Sequence, residues 1–335
     1  QLKKQYNIGW VGNVETGGGT KERYLARLFA MRFTDHSRLA VYGNMNNLND
    51  DRKPGENDNW SPSDLFGGLT QQQLGGLDYN IDARSGKYKL SGNAQVRHAD
   101  NTIVNNTNRT NFLANGDTYD RMVANNRNHN FTLSTDHQFY FEFKNANLNI
   151  KPRFNYQYYN NKSGYSSLTL NRIFTSFSKA QLDSLYTPMI GRELVRTAIN
   201  RNLRNGLSIG HSLEGSVSME SLIKFKHSPD HITLYADASL RHATEDSFDR
   251  NRIDYYTNGQ QSNTDFRNRY FNNRPDHGYS MTGKVTYSYL VKRGLFFDFS
   301  YKYNRTTSNR YSSLYRLDQL ADWGINSEHE LGTLP

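Results

Sequence analysis

The stretch Leu148-Asn149-Ile150-Lys151-Pro152-Arg153-Phe154-Asn155-Tyr156-Gln157-Tyr158 decides the fold. Its even positions are all apolar or aromatic, and its odd positions are all polar or charged. A period of two gives each class its own face of an extended strand, whereas on a helix the two classes would mix. The pattern recurs along the chain. Tyr6, Ile8, Trp10, Gly12 and Val14 share one face, and Tyr88, Leu90, Gly92, Ala94 and Val96 form the next clear copy. Ile232 to Leu240, Tyr279 to Tyr289 and Leu295 to Tyr303 repeat it, with weaker copies over 24–33, 39–45, 77–83, 129–139 and 207–219. The chain therefore reads as all-β, with about eleven antiparallel strands of the roughly 9 to 11 residues that a tilted membrane strand requires.

The chemistry of the two faces indicates their surroundings. Lys, Arg, Asp and Asn fill one face, while the other is apolar and often begins or ends in Tyr, Phe or Trp. A transmembrane β-barrel wall is built this way, with water inside, lipid outside and aromatic girdles at the two interfaces. This reading also reconciles a composition that otherwise conflicts. Only 35% of the 335 residues are hydrophobic, yet 13% are aromatic, and mean hydropathy is -0.86. Disordered chains are poor in aromatics, and a barrel wall needs only alternate residues to be apolar. No run approaches the roughly 18 apolar residues of a membrane-crossing helix. The absence of cysteine removes disulfide scaffolds, zinc ribbons, iron–sulfur sites and thiol catalysis. The net charge of +9 is scattered singly among Asn, Ser and Tyr, so nucleic acid is not an expected partner.

Connection lengths orient the wall. Asp35 to Arg38, Arg84 to Lys87, Glu142 to Asn147 and Lys292 to Gly294 read as tight turns, with Glu220 to Asp230 somewhat longer. Between them lie long polar segments, Asn46 to Leu74, His98 to Asn128, Tyr159 to Gly206, His242 to Gly278 and Asn304 to Leu331. If every strand crosses one wall, all tight turns fall at one end and all long loops at the other. Bacterial outer-membrane barrels have this asymmetry, with the long loops outside. One loop predicts a helix: Ser178 caps with Gln181, and Leu182, Leu185, Tyr186 and Met189 share a face that ends near Pro188. Its expected role is loop packing over the barrel mouth.

The wet face predicts an inward row of Arg27, Lys89, Arg97, Lys151, Arg153, Arg241, Lys284 and Lys302 beside Asp78, Asp82, Asp237 and Asp298. The row either guides an anionic solute or pairs structurally, and Arg97 and Arg153 are its candidates for substrate contact. In the external loops the candidates are Trp60, Tyr165, Arg172, Tyr255, Tyr256 and Trp323. Aromatic faces beside Asn, Asp and Arg suit sugar rings and peptides, with plain loop packing as the competing role. Asn44, Asn46, Asn47 and Asn49 read as an architectural device that bonds backbone where a strand leaves the membrane. No metal site or cofactor is expected. His227 and His231 are spaced for a helix, but Pro229 intervenes. With no Gly-x-Ser-x-Gly elbow and no HExxH pair, an enzyme is the least expected class.

The opening run Gly9-Trp10-Val11-Gly12-Asn13-Val14-Glu15-Thr16-Gly17-Gly18-Gly19-Thr20, then Glu22-Arg23-Tyr24 and Leu39-Ala40-Val41-Tyr42-Gly43-Asn44-Met45-Asn46-Asn47-Leu48-Asn49, carries a family resemblance. It is similar to the start of the barrel in the TonB-dependent-receptor-like outer-membrane β-barrel family of Bacteroidetes. Gly75-Gly76-Leu77-Asp78-Tyr79-Asn80 resembles the strand after the first long loop of that family. The resemblance implies a barrel of about 22 strands around an N-terminal plug. It also implies TonB-energised uptake of an oligosaccharide, peptide or chelate across the outer membrane of a Gram-negative bacterium. Residues 1–335 then read as one incomplete barrel segment without a plug domain. Outer-membrane lipid is one expected partner, and a surface lipoprotein and TonB, reached through an N-terminal region, are others. The remainder of the barrel and its plug, or another membrane protein, would meet the open strand edges. A structural or secretion-associated barrel that scaffolds surface partners without transport is the alternative, and a soluble β-rich adhesin or glycan-binding module is the third.

Overall fold

The computed structural model describes residues 8–50, 68–187 and 190–320, apart from the side chains at 186 and 274–276. Eleven strands form one antiparallel sheet in sequence order: β1 (Ile8–Gly18), β2 (Tyr24–Thr34), β3 (Ser37–Asn46), β4 (Leu69–Asp82), β5 (Tyr88–Asn111), β6 (Thr118–Glu142), β7 (Ala146–Leu170), β8 (Ala198–Lys224), β9 (His231–Thr257), β10 (Gln260–Lys292) and β11 (Leu295–Arg316). Each strand pairs with its sequence neighbours, so the sheet is an uninterrupted meander. Among the described residues β1 and β11 form its two edges.

The register shows that the alternation is a property of the whole sheet. Phe154 on β7 pairs with Thr135 on β6 and Gly215 on β8. The same face continues through Leu240 on β9, Tyr279 on β10 and Thr307 on β11. In the other direction it runs through Ala94, Leu77, Val41, Ala30 and Gly12 to β1. One face of all eleven strands thus carries a continuous apolar band, while Lys89, Arg97, Arg153, Asp237 and Lys284 share the opposite face. The band is not covered by protein: Val14 is 69% exposed, Val217 46%, Leu240 55% and Tyr301 72%.

Strand length departs from the sequence reading. The strands β5 to β11 have 22 to 33 residues, far more than a membrane crossing needs. Most of the segments read as long loops are paired strand. The stretch His98 to Asn128 is largely hairpin, closed by the short connection between Asn111 and Thr118. The stretch His242 to Gly278 is paired almost throughout and turns at Asn258-Gly259. That dipeptide has φ of 53° and 77°, the double left-handed turn that matches strand twist. The tight turns at the opposite end stand as expected, and the asymmetry between the two ends persists as tall hairpins against short turns. Tyr159 to Gly206 keeps a true insert, because β7 ends at Leu170 and β8 begins only at Ala198, and Asn46 to Leu74 spans the connection between β3 and β4, of which 51–67 lie outside the described residues.

This insert holds α1 (Lys179–Asp183), capped as expected. The Ser178 backbone N–H donates to Gln181 Oε1 at 2.7 Å, and the Gln181 N–H donates to Ser178 Oγ at 3.3 Å. The helix is short and passes into a 3₁₀ turn, Ser184–Tyr186. A second helix, α2 (Arg192–Thr197), follows and was not signalled. Leu182, Leu185 and Leu194 bury themselves against Leu168, Leu170, Ala198 and Tyr256, so the insert packs on the upper sheet as anticipated for Leu182 and Leu185. Pro188 and Met189 lie outside the described residues.

Candidate functional site

A row of histidines borders the exposed apolar band on five of the strands. On each of five strands, a histidine interrupts the apolar run of that face two positions beyond a large apolar or aromatic residue, and apolar residues such as Ile209 on β8 and Phe248 on β9 return farther up. Val96 gives way to His98, Phe131 to His129, Leu213 to His211, Leu240 to His242 and Tyr279 to His277. The rings touch in sequence across the sheet. His98 meets His129 at 4.7 Å, His129 meets Tyr158 at 6.1 Å, Tyr156 meets His211 at 6.5 Å, and His211 meets His242 at 5.8 Å. His242 then stacks on His277 at 4.6 Å, and Arg305 lies 5.6 Å over Tyr279. Amphipathic rings in such a row suit a boundary between hydrocarbon and water. Sequence reading found these histidines dispersed, although their constant offset from each apolar run was legible.

On the polar face the ion pairs are made between neighbouring strands. Arg153 Nε lies 2.9 Å from Asp136 Oδ2, and Arg241 Nε lies 3.3 Å from Glu214 Oε1. Arg97 donates to Gln72 Oε1 at 2.9 Å. This bond attaches it to a buried node in which Asn46 and Gln72 donate to the Asp50 carbonyl at 2.7 and 3.1 Å, while Arg27 pairs with Glu15 and Asp50. Asn46 Oδ1 also accepts the backbone N–H groups of Leu48 and Asp50. The asparagines therefore fold the chain back over the polar face as it leaves β3, which is the architectural role expected of them. Arg97 belongs to that node, and Arg153 is held in a more exposed pair.

Above the band the polar face opens into a recess of about 200 Å³, lined by Asn126, Asn128, Asn161, Ser163, Arg204, Ser208, Ser247 and Asp249. The strands β6 to β9 contribute in register, since Ser163 lies opposite Gly206 and Gly206 opposite Asp249. Arg204 grips Asp249 with two bonds, at 2.8 and 3.1 Å, which raises the guanidinium pKa further and fixes one charged wall. The Asn161 Oδ1 acceptor is shielded from solvent and has no hydrogen-bond partner, and the same holds for Asn202 Oδ1 and Asn251 Oδ1, farther up β8 and β9 and outside the lining. Buried acceptors without donors cost about 1 to 3 kcal/mol each and call for a hydroxyl or amide donor from outside.

No protein-family model matches the chain, and no curated protein is similar to it. The recess is therefore interpreted on its own chemistry.

Of the loop candidates, Tyr165 is a β7 residue that faces Arg204 across the β7–β8 pair, next to the recess. Arg172 is exposed in the connection after β7, away from it. Tyr255 and Tyr256 do not act together, because consecutive strand residues point to opposite faces. Tyr255 is 38% exposed, whereas Tyr256 is buried in the insert core, where burial pushes its phenol pKa up. Tyr256 thus packs in the insert core. Trp60 and Trp323 lie outside the described residues. The recess itself was missed in the sequence because its Asn and Ser residues sat in segments read as unpaired loop.

Two buried carboxylates brace the tall hairpins. Burial alone pushes Asp120 upward, but bonds from Asn111, Arg109 and Thr169 outweigh it and hold the carboxyl below the usual range. Asp254 is fully buried with Arg201 at 2.8 Å. There too burial raises the pKa and bonds from Arg201, Arg252 and Thr264 lower it further.

Proposed function

We propose that this chain forms part of the wall of an outer-membrane β-barrel of the TonB-dependent-receptor-like type, which takes up an oligosaccharide, peptide or chelate. The observation that carries this reading is the exposed apolar band across all eleven strands, bordered on β5 to β10 by a row of rings. An exposed apolar surface of this extent requires a partner, and lipid matches its shape and its aromatic limit. The polar face becomes the lumen wall and the tall hairpins the external mouth. Backbone groups left open at the β1 and β11 edges would cost several kcal/mol each in hydrocarbon. Further strands, from the same protein or a second membrane protein, therefore continue the sheet into a closed barrel. TonB coupling, a plug and a surface lipoprotein over the hairpin tips accompany this reading through the family resemblance.

The solute first meets the recess. Its unpartnered Asn161 oxygen accepts a hydroxyl or amide donor, and the Arg204–Asp249 pair offers charge to a polar ligand. Tyr165 supplies an aromatic face beside it. Cell fractionation tests the location: the protein is expected in the outer-membrane fraction and extracted only by detergent. Monodisperse behaviour in detergent-free buffer would contradict the reading. Loss of solute uptake on Arg204→Ala, with the protein still present in the membrane, would locate binding at the recess.

A further inference from the structure

A second site stands on the opposite face, in the row of histidines that borders the apolar band. His98 and Asp100 are two positions apart on β5 and so share a face, and Asp100 is paired directly with His129 on β6. One donor atom from each of the three lies within 4.8 Å of the others. Among the described residues this is the group of His and carboxylate side chains so arranged. The two imidazole rings meet edge to face at 4.7 Å. Asp100 Oδ1 lies 3.4 Å from His129 Nδ1 and 3.6 Å from Arg127 Nε. It is shielded from solvent and accepts no hydrogen bond.

We propose that His98, Asp100 and His129 bind a divalent transition-metal ion, with Zn²⁺ as the best-matched species. Two imidazole nitrogens and one carboxylate oxygen form a borderline-soft donor set that suits Zn²⁺ and disfavours Mg²⁺ and Ca²⁺, which demand oxygen alone. A tetrahedral Zn²⁺ holds its donors about 3.4 Å apart, given metal–ligand bonds of about 2.0 to 2.2 Å. The present spacing closes to that value through side-chain rotation, with the strand pairing left intact. Three protein ligands leave a fourth position to water or to a donor from a bound molecule. The ion would also give the Asp100 oxygen, which accepts no hydrogen bond, a closer cation than Arg127 at 3.6 Å. It would pin β5 to β6 at the height of the histidine row. The site rests on side-chain geometry alone and does not depend on the transport reading.

The neighbouring His242–His277 pair is an internal control. Its Nδ1 atoms are 3.0 Å apart, and it has no third ligand of this kind among the described residues. Titrating the purified full chain with Zn²⁺ by calorimetry, and with Co²⁺ by visible absorption, tests the proposal. One ion per chain is expected, with the intense d–d bands of tetrahedral Co²⁺. Binding should be lost in His129→Ala and in His98→Gln, weaken by about tenfold or more in Asp100→Asn, and persist in His277→Ala. Arg127→Ala should tighten binding, since it removes the competing cation, a change that a purely structural cluster would not produce. Folding of each variant is checked by heat-dependent gel mobility, and His98→Gln and Asp100→Asn keep the test open if His129→Ala fails to fold. Absence of saturable binding by the native chain would overturn the proposal. So would binding that survives His129→Ala and His98→Gln or disappears with His277→Ala.

Discussion

The same strands behave as two different materials below and above the row of histidines. On β9 the outer face reads Ile232, Leu234, Ala236, Ala238 and Leu240 in the lower half, then His242, Thr244, Asp246, Phe248, Arg250, Arg252 and Asp254 in the upper half. Backbone pairing continues across the change without a break between β8 and β9. The lower half satisfies its side chains by leaving them apolar and exposed, and the upper half by hydrogen bonds, ion pairs and a small leucine core. Pairing is therefore not what distinguishes the two halves. The side chains of the outer face make the distinction.

The largest expected effect breaks the upper half alone. Arg201 and Asp254 are 3% and 0% exposed, so Arg201→Ala leaves a buried carboxylate with only part of its compensation. A loss of about 3 to 5 kcal/mol is expected for such a pair. Hydrogen exchange should show it as opening of the β8–β10 tips while the lower strands keep their protection. The next substitution acts on the lower half alone. Val217→Arg places a charge on the exposed apolar band and should cost about 2 to 4 kcal/mol near the bilayer midplane. Asn205→Arg, on the same face of β8 but in the upper half, should cost little. The folded fraction after reconstitution, read by heat-dependent gel mobility, compares the two.

A smaller effect follows from pH. Asp120 and Asp254 have depressed pKa values in the folded chain. The stability they contribute is fully present above the unfolded carboxylate value of about 3.9, and it is lost as pH falls through the lower folded values. Acidification below about pH 4 should loosen the hairpin tips and increase their proteolysis, with the band unaffected. The smallest effect contrasts two glycines. A Cβ at Gly76 would lie 2.3 Å from the Tyr42 ring, whereas a Cβ at Gly215 meets nothing within 4 Å. Gly76→Ala should cost about 1 kcal/mol through displacement of that ring, and Gly215→Ala should be neutral in the same thermal assay.

The lower half was legible in the sequence because its two faces differ in polarity, which imposes a period of two. The strand faces, the tight turns and the sharing of one face by Arg97, Arg153 and the other charges all followed from it. The upper half was not legible in this way. There polar and charged residues occupy both faces, so the alternation fades although the backbone still pairs, and β5, β6, β9 and β10 were read as ending near His98, His129, His242 and Gly278. Asn258-Gly259 carried a hairpin signal of its own, flanked by the Tyr255-Tyr256 pair, and it marks where the tall hairpin turns. The recess around Asn161 and Arg204 could not be assembled without the register, because its members lie far apart in the chain and have no motif spacing. Cross-strand pairing likewise brings His129 to Asp100.

Single-cysteine labelling along β9 tests the central claim most directly, since the native chain contains no cysteine. Each variant would be exposed, in its membrane, to a water-soluble maleimide. Below His242, reactivity should alternate: Leu234, Ala236 and Ala238 protected, and Tyr235, Asp237 and Ser239 reactive. Above it, Thr244 and Arg252 on the outer face should react as readily as Glu245 and Ile253. Uniform reactivity between His231 and Leu240 would contradict a lipid-facing band, and alternation continuing unchanged to Thr257 would contradict the division at the histidine row.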